Sequence, residues 1–112
     1  MTDIEDLTEL LVKFRDERDW EQFHDSKNLA LALSIEASEL NELFLWKKDA
    51  DVEKIDRVRL KEELADVFAY ALMLAEKNNL SVSEIVKEKI LKNAEKYPIE
   101  KSKGSSEKYI QD

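Results

Sequence analysis

Residues 29–46, LALALSIEASELNELFLW, and residues 59–77, RLKEELADVFAYALMLAEK, decide the architecture. In both, apolar residues recur every three or four positions, the period of an amphipathic helix, and no glycine or proline interrupts them. On a wheel turning about 100° per residue, Leu29, Ala32, Leu33, Leu40 and Leu43 all fall within about 60° of Glu36. Glu36 thus occupies the middle of the apolar face, and Glu39 its margin. Around Glu63, the residues Leu60, Val67, Tyr70 and Leu74 do the same, with Asp66 at the margin. Glu62 is displaced by about 100° and is expected in solvent. Neither stripe carries a Lys or Arg at its centre, although Lys77 falls toward the margin of the second. Each acid pair is spaced i, i+3, so its members share one helix face. Packed face to face, the two helices would gather four carboxylates at one point. Burying a charge is costly unless it is paired or bound to a metal, so the arrangement suggests a cation site.

Four helices are expected, an all-α fold. The first opens on a capping box, Thr2 with Glu5, and carries Ile4, Leu7, Leu10, Leu11 and Phe14 at helical spacing to near Arg18. A loop, residues 19–24, holds Trp20, Phe23 and the single histidine, His24. Asp25 is a fitting N-cap for the second helix, from about Ser26 to Trp46. Lys47 to Asp56 is charged and reads as a connection with room for one short helical turn. The third helix is expected from about Arg57 to Asn78, ended by Asn78-Asn79. Ser81 with Glu84 forms a second capping box, and the fourth helix runs to about Lys96, where Tyr97-Pro98 stops it. The expected division is a domain over residues 1–98 and a basic, polar tail over 99–112.

The composition narrows the function classes. The 112 residues suit one domain, and 43% hydrophobic residues can form a modest core. Burying further apolar surface by homo-oligomerisation, as a dimer or tetramer, is the expectation for so small a bundle. A formal net charge of −8 argues against a general nucleic-acid binder, but a metal can reverse local charge at a nucleotide site. With no cysteine, disulfides and thiolate metal sites are excluded. The first residues lack the basic and apolar regions of a signal peptide, and no apolar run approaches the roughly 20 residues of a membrane span. A cytoplasmic location follows as the default.

The donor set discriminates among metals. All-oxygen ligands suit Mg²⁺, Mn²⁺ or Ca²⁺, whereas zinc sites generally use His or Cys. A di-iron bundle would need Glu-x-x-His pairs on two helices, and the one histidine sits in a loop. Mg²⁺ held by a few carboxylates completes its shell with water and phosphate oxygens, which points to phosphate chemistry. The bland alternative is that the acids pair with Lys or Arg from another helix, in a non-catalytic nucleotide-binding module or a purely structural helical oligomer.

With the spacing Glu36-x-x-Glu39, 23 intervening residues, Glu63-x-x-Asp66, the chain resembles the MazG-like all-α nucleoside triphosphate pyrophosphohydrolases. The flanking segments RDWEQFHDSKNLALALSIEASEL, FLWK, EELADVFAY and KNAEKYPIEKSKGSSEKY look like the branch containing dCTP pyrophosphatase. The resemblance implies Mg²⁺-dependent hydrolysis of (deoxy)nucleoside triphosphates to the monophosphate and pyrophosphate, with house-cleaning of pyrimidine or noncanonical dNTPs as its role. It implies that Glu36, Glu39, Glu63 and Asp66 hold Mg²⁺, with Mn²⁺ as an alternative, and that Glu36 or Glu39 serves as general base. Trp20 and Trp46 look like aromatics of the base pocket, and Tyr70 like a sugar contact. His24, Lys27, Asn28, Asn93 and Lys96 complete the implied substrate contacts, and Lys89 and Lys92 extend a basic stripe on the fourth helix. The tail carries Lys101, Lys103, Gly104, Ser105, Ser106 and Lys108, and its KSKGSS stretch, residues 101–106, is implied to fold over phosphates of its own or a neighbouring subunit. Two positions depart from the pattern. Ser26 stands where many relatives have proline, which is expected to affect only the helix start. Leu11 stands where dCTP-specific members carry histidine, so the resemblance implies the reaction type without a strict dCTP preference.

Overall fold

A computed structural model describes residues 2–105. Every regular element among them is helical: α1 (Asp3–Glu17), α2 (Ser26–Glu42), α3 (Arg57–Lys77), α4 (Val82–Lys96) and a single turn, α5 (Ile99–Ser102). Short 3-10 turns lie at Glu21–Phe23 and Asp49–Asp51. The second of these is the turn expected in the charged connection. Ser106 and Lys108 of the tail lie outside the described residues.

The helix starts follow the local chemistry read from the sequence. Thr2 and Glu5 form the complete reciprocal capping box. Asp25 accepts from the Asn28 N–H at 2.7 Å, and Asp56 accepts from the Val58 and Arg59 N–H groups at 2.9 and 3.4 Å. At α4 the Ser81 hydroxyl accepts from the Glu84 N–H at 3.3 Å, which is the hydroxyl half of the expected box. These contacts satisfy backbone donors that a helix leaves unpaired in its first turn.

Two ends close as Schellman turns. After α1, Asp19 takes a φ of 55°, the Asp19 N–H donates to Asp16 O, and the Trp20 N–H donates to Arg15 O at 3.1 Å. After α3, Asn79 also takes a φ of 55°, with the Asn79 N–H on Glu76 O and the Leu80 N–H on Ala75 O. Asp and Asn are the non-glycine residues that best tolerate this left-handed conformation. The end of α2 differs from its expected place at Trp46. After Glu42 the backbone bonds tighten to the three-residue spacing (Leu43 to Leu40, Phe44 to Asn41, Leu45 to Glu42), and Trp46 turns left-handed at φ 66°. The apolar period runs unbroken through Trp46, so it carries no signal of this change.

Contacts divide the chain into two compact units, Met1–Leu80 and Ser81–Asp112. In the first, α2 packs along α3, and α1 lies more lightly on α3. The buried apolar core is small: Leu29, Leu43, Leu72, Met73 and Ala75. Among the described residues, two side-chain hydrogen bonds tie the helices together. Arg15 Nη1 of α1 bonds Glu76 Oε2 of α3 at 3.2 Å. Asn78 Nδ2, at the end of α3, donates to Ser26 Oγ at 3.0 Å. The Ser26 hydroxyl therefore ties α2 to α3, where the sequence suggested an effect on the helix start alone. Many large apolar side chains stay uncovered, among them Leu10 at 63% and Phe68 at 60% exposure, with Leu31 and Ile35 on α2. No helix among the described residues is long and apolar enough to cross a membrane.

Asp56→Ala should lower the unfolding free energy by about 1 kcal/mol, the usual worth of an N-cap. Urea unfolding checks this as a lower midpoint with an unchanged slope.

Candidate functional site

The α2–α3 seam brings together three of the four predicted ligands. One carboxylate oxygen from each of Glu36, Glu39 and Glu63 lies within 4.8 Å of the others. All three residues are half-buried, whereas Glu62 is exposed, as its place on the wheel requires. The fourth, Asp66, is exposed one turn beyond Glu63 and lines a pocket, and its charge acts on both Glu36 and Glu63. Glu39 acts on both of the other glutamates, raising each of them.

This crowding is visible in the electrostatics. Burial, the close approach of the Glu39 carboxyl and the charges of Glu39, Asp66 and Glu63 push the Glu36 carboxyl up to about 7. Burial and the proximity of Glu39 likewise raise Glu63. One cation works the other way. Arg59, one turn before Glu63, favours the ionised form of Glu63. The expectation that no Lys or Arg shares the stripe centre is thereby corrected: an i, i+4 spacing places Arg59 on the same face. Arg59 does not satisfy the site, since Glu36 Oε2 and Glu63 Oε2 are both shielded from solvent without a hydrogen-bond partner. Buried polar atoms are nearly always partnered. Two orphaned carboxylate oxygens beside a third acid, all hard oxygen donors, fit a hard divalent cation.

A pocket of about 270 Å³ is lined in part by Asp66, whose charge acts on Glu36 and Glu63 of the cluster. Its α3 wall is Asp66, Ala69, Tyr70 and Met73; its α1 wall is Leu11, Phe14 and Arg15; Trp20 and His24 complete it. Burial, then the charges of Glu36, Asp66 and Glu39, raise the Tyr70 phenol, which keeps it neutral. Trp20 meets Phe14 edge-on with ring centroids 5.8 Å apart and meets His24 at 6.5 Å. His24 Nδ1 is a third buried polar atom without a partner.

Of the other residues singled out in the sequence, Trp46, Lys27, Asn28, Asn93 and Lys96 are not in the lining of this pocket. Trp46 is 98% exposed and lines no described pocket. Lys27 is exposed in the first turn of α2. The Asn28 side chain clasps the loop, donating to Phe23 O at 3.2 Å and Asp25 Oδ2 at 3.4 Å. Asn93 and Lys96 lie on the last turns of α4, in the second unit. Phe14, Arg15, Ala69 and Met73 are pocket residues that the sequence reading did not single out as such. Their signal was available: Ala69, Tyr70 and Met73 continue the Asp66 stripe at three- and four-residue steps. What sequence could not supply is that α1 offers Leu11, Phe14 and Arg15 to that stripe.

The sequence profile of the MazG-like family matches residues 31–111. The chain belongs to the MazG-like family. It is 42% identical over 111 residues to dCTP pyrophosphatase 1 of Rattus norvegicus, covering 95% of this chain and 65% of that protein. It is 40% identical over 113 residues to dCTP pyrophosphatase 1 of Homo sapiens, covering 96% and 66% respectively. The chain thus spans just under two thirds of the length of these relatives. Among solved structures it is similar to a pyrophosphatase from Archaeoglobus fulgidus DSM 4304, with a TM-score of 0.82 at 39% identity, over 88% of this chain and 94% of that one.

The acid cluster makes metal-free stability pH-dependent. Glu36 and Glu63 have folded-state values raised above the ordinary 4.5, so the folded chain holds protons that the unfolded chain releases. Stability is then greatest below about 4.5 from these groups and is lost as pH rises through about 7. In EDTA, the melting temperature should fall between pH 5 and pH 8. Glu36→Gln should flatten that fall and raise the melting temperature at pH 8.

Proposed function

We propose that the protein hydrolyses (deoxy)nucleoside triphosphates to the monophosphate and pyrophosphate with a divalent cation, Mg²⁺ or alternatively Mn²⁺. One observation carries the reading: three carboxylates converge within 4.8 Å, two with shielded, unpartnered oxygens, and Asp66, whose charge acts on two of them, lines an aromatic-walled pocket. The pyrophosphatase names of its relatives support the same direction. Glu36, Glu39 and Glu63, with Asp66 at the pocket edge, would hold the cation. Bound there, a hard divalent ion neutralises charge on phosphoryl oxygens and lowers the pKa of water.

The remaining roles belong to the chain. Water attacks the α-phosphorus and passes a proton to a carboxylate oxygen of Glu39 or Glu36. The bond from the α-phosphorus to the bridging oxygen breaks, and pyrophosphate departs. Trp20, which lies beside His24 in the pocket, offers a flat face for the base. The neutral Tyr70 phenol adds no charge against the sugar. The small pocket, with Leu11 and Met73 in its apolar lining, favours a pyrimidine or modified pyrimidine deoxynucleotide. Clearing noncanonical nucleotides or adjusting the nucleotide pool is the corresponding role. The working form is a homo-oligomer, dimer or tetramer, a reading supported by the large apolar side chains left uncovered on one chain.

A panel of natural and base-modified dNTPs with Mg²⁺, analysed for phosphate products, tests the reaction. The expected products are the monophosphate and pyrophosphate, and Glu39→Gln should lower kcat by about 10²–10⁴-fold, the range for a lost general base. Orthophosphate as the product, or full activity in Glu39→Gln, would count decisively against the proposal. Sedimentation equilibrium should give twice or four times the 13.1 kDa chain mass. A single-chain mass at micromolar concentration would overturn the oligomer.

A further inference from the structure

Among the described residues Arg15 is the one buried charged residue, its side chain only 8% exposed, and it lines the pocket with Trp20, His24 and Tyr70. A guanidinium in such a pocket ordinarily suggests a phosphate ligand. Its partners argue otherwise. Nε pairs with Asp16 at 3.0 Å, Nη1 with Glu76 at 3.2 Å and Nη2 with Glu21 at 3.9 Å. Three carboxylates surround this one cation, so its charge is already satisfied and little of it is left for a phosphate.

Those partners come from three elements: α1 itself, the end of α3, and the 3-10 turn Glu21–Phe23 that separates Trp20 from His24. The guanidinium is therefore a strut between the aromatic loop and α3. Its main chain works to the same end. The Arg15 carbonyl accepts the Trp20 N–H at 3.1 Å and the Arg18 N–H at 3.2 Å, closing the turn that sets the Trp20 backbone. Both ends of one residue thus hold the loop on which Trp20 meets Phe14 and His24 edge-on.

We infer that Arg15 is a positioning residue for substrate: braced on Glu76 and Glu21, it fixes Trp20 and His24 along the pocket so that this wall receives the uncharged base while the phosphates lie toward the carboxylate cluster. The inference rests on the proposed reading of this pocket as a nucleotide-base site. Lysine cannot replace the strut, because a single ammonium lacks the planar fork that reaches separated carboxylates.

The test uses the full chain with Arg15→Lys and with Glu21→Gln. Hydrolysis of a dNTP that the wild type cleaves is compared with inhibition by inorganic tripolyphosphate, which has no base. Arg15→Lys should raise KM about ten-fold, the scale of a lost charge-assisted contact. Glu21→Gln should raise it about two- to five-fold, as befits a pair on the solvent side. In both, kcat should stay within about two-fold, and tripolyphosphate inhibition should be unchanged, since only base binding is loosened. Parallel loss of nucleotide and tripolyphosphate affinity would show general loosening of the fold and overturn the inference. An unchanged KM in both variants would overturn it as well. If Arg15→Lys does not fold, the surface change Glu21→Gln decides alone. A wild-type protein that cleaves no triphosphate overturns the functional reading and this inference together, and is recognised before any substitution is made.

Discussion

Everything near the candidate site depends on a repulsion, the meeting of Glu36, Glu39 and Glu63 in the α2–α3 seam. Like charges within 4.8 Å, two of them with shielded oxygens, do not remain ionised together without a proton or a cation between them. The seam tolerates them because apolar residues of the same elements are buried: Leu29 of α2, Leu43 at its C-terminal cap, and Leu72, Met73 and Ala75 of α3. Capping by Asp25 and Asp56 holds the start of both helices, and the Asn78–Ser26 bond ties the end of one to the beginning of the other. The scaffold therefore keeps the acids close at a cost in stability, a pattern more typical of a site under functional demand than of a core.

The pocket depends on that seam at one remove. Asp66 and Tyr70 continue the Glu63 stripe along α3, so the register that sets the cluster also sets one wall of the pocket. The opposite wall comes from α1 and its Schellman turn, in which Asp19 takes the left-handed conformation and Trp20 is pulled back onto Arg15. A short helix end thus becomes the support of an aromatic platform. The polar contacts of Arg15, unlike the dispersive contact of Leu11 or Phe14, specify where that platform sits.

The first unit buries little. Phe68, Leu10 and Leu31 lie on three different helices and are all more than half uncovered. Hydrophobic area of this extent on several faces is more than a single chain of this size usually leaves to solvent. The same economy explains why polar ties such as Arg15–Glu76 and Asn78–Ser26 matter here: a small core leaves relative placement of the helices to directional contacts.

The helices and the acid cluster were legible in the sequence because both arise from local rules. Three-and-four periodicity marks α2 and α3, side-chain oxygens at Thr2, Asp25 and Ser81 mark helix starts, and a fixed i, i+3 spacing puts Glu36 with Glu39 and Glu63 with Asp66. The end of α2 was not legible, because the apolar period continues through Trp46 while the backbone tightens and turns. Nor was Arg59 against Glu63 given its due, or the tie made by the Ser26 hydroxyl. The tertiary structure alone decided that Leu11, Phe14 and Arg15 of α1 face the Asp66 stripe, that Trp20 shares that pocket while Trp46 stands in solvent, and that Arg15 is spent on carboxylates. The physical reason is range: periodicity and capping act over a single turn of helix. The partner of a guanidinium 61 residues away along the chain is set only when the helices pack.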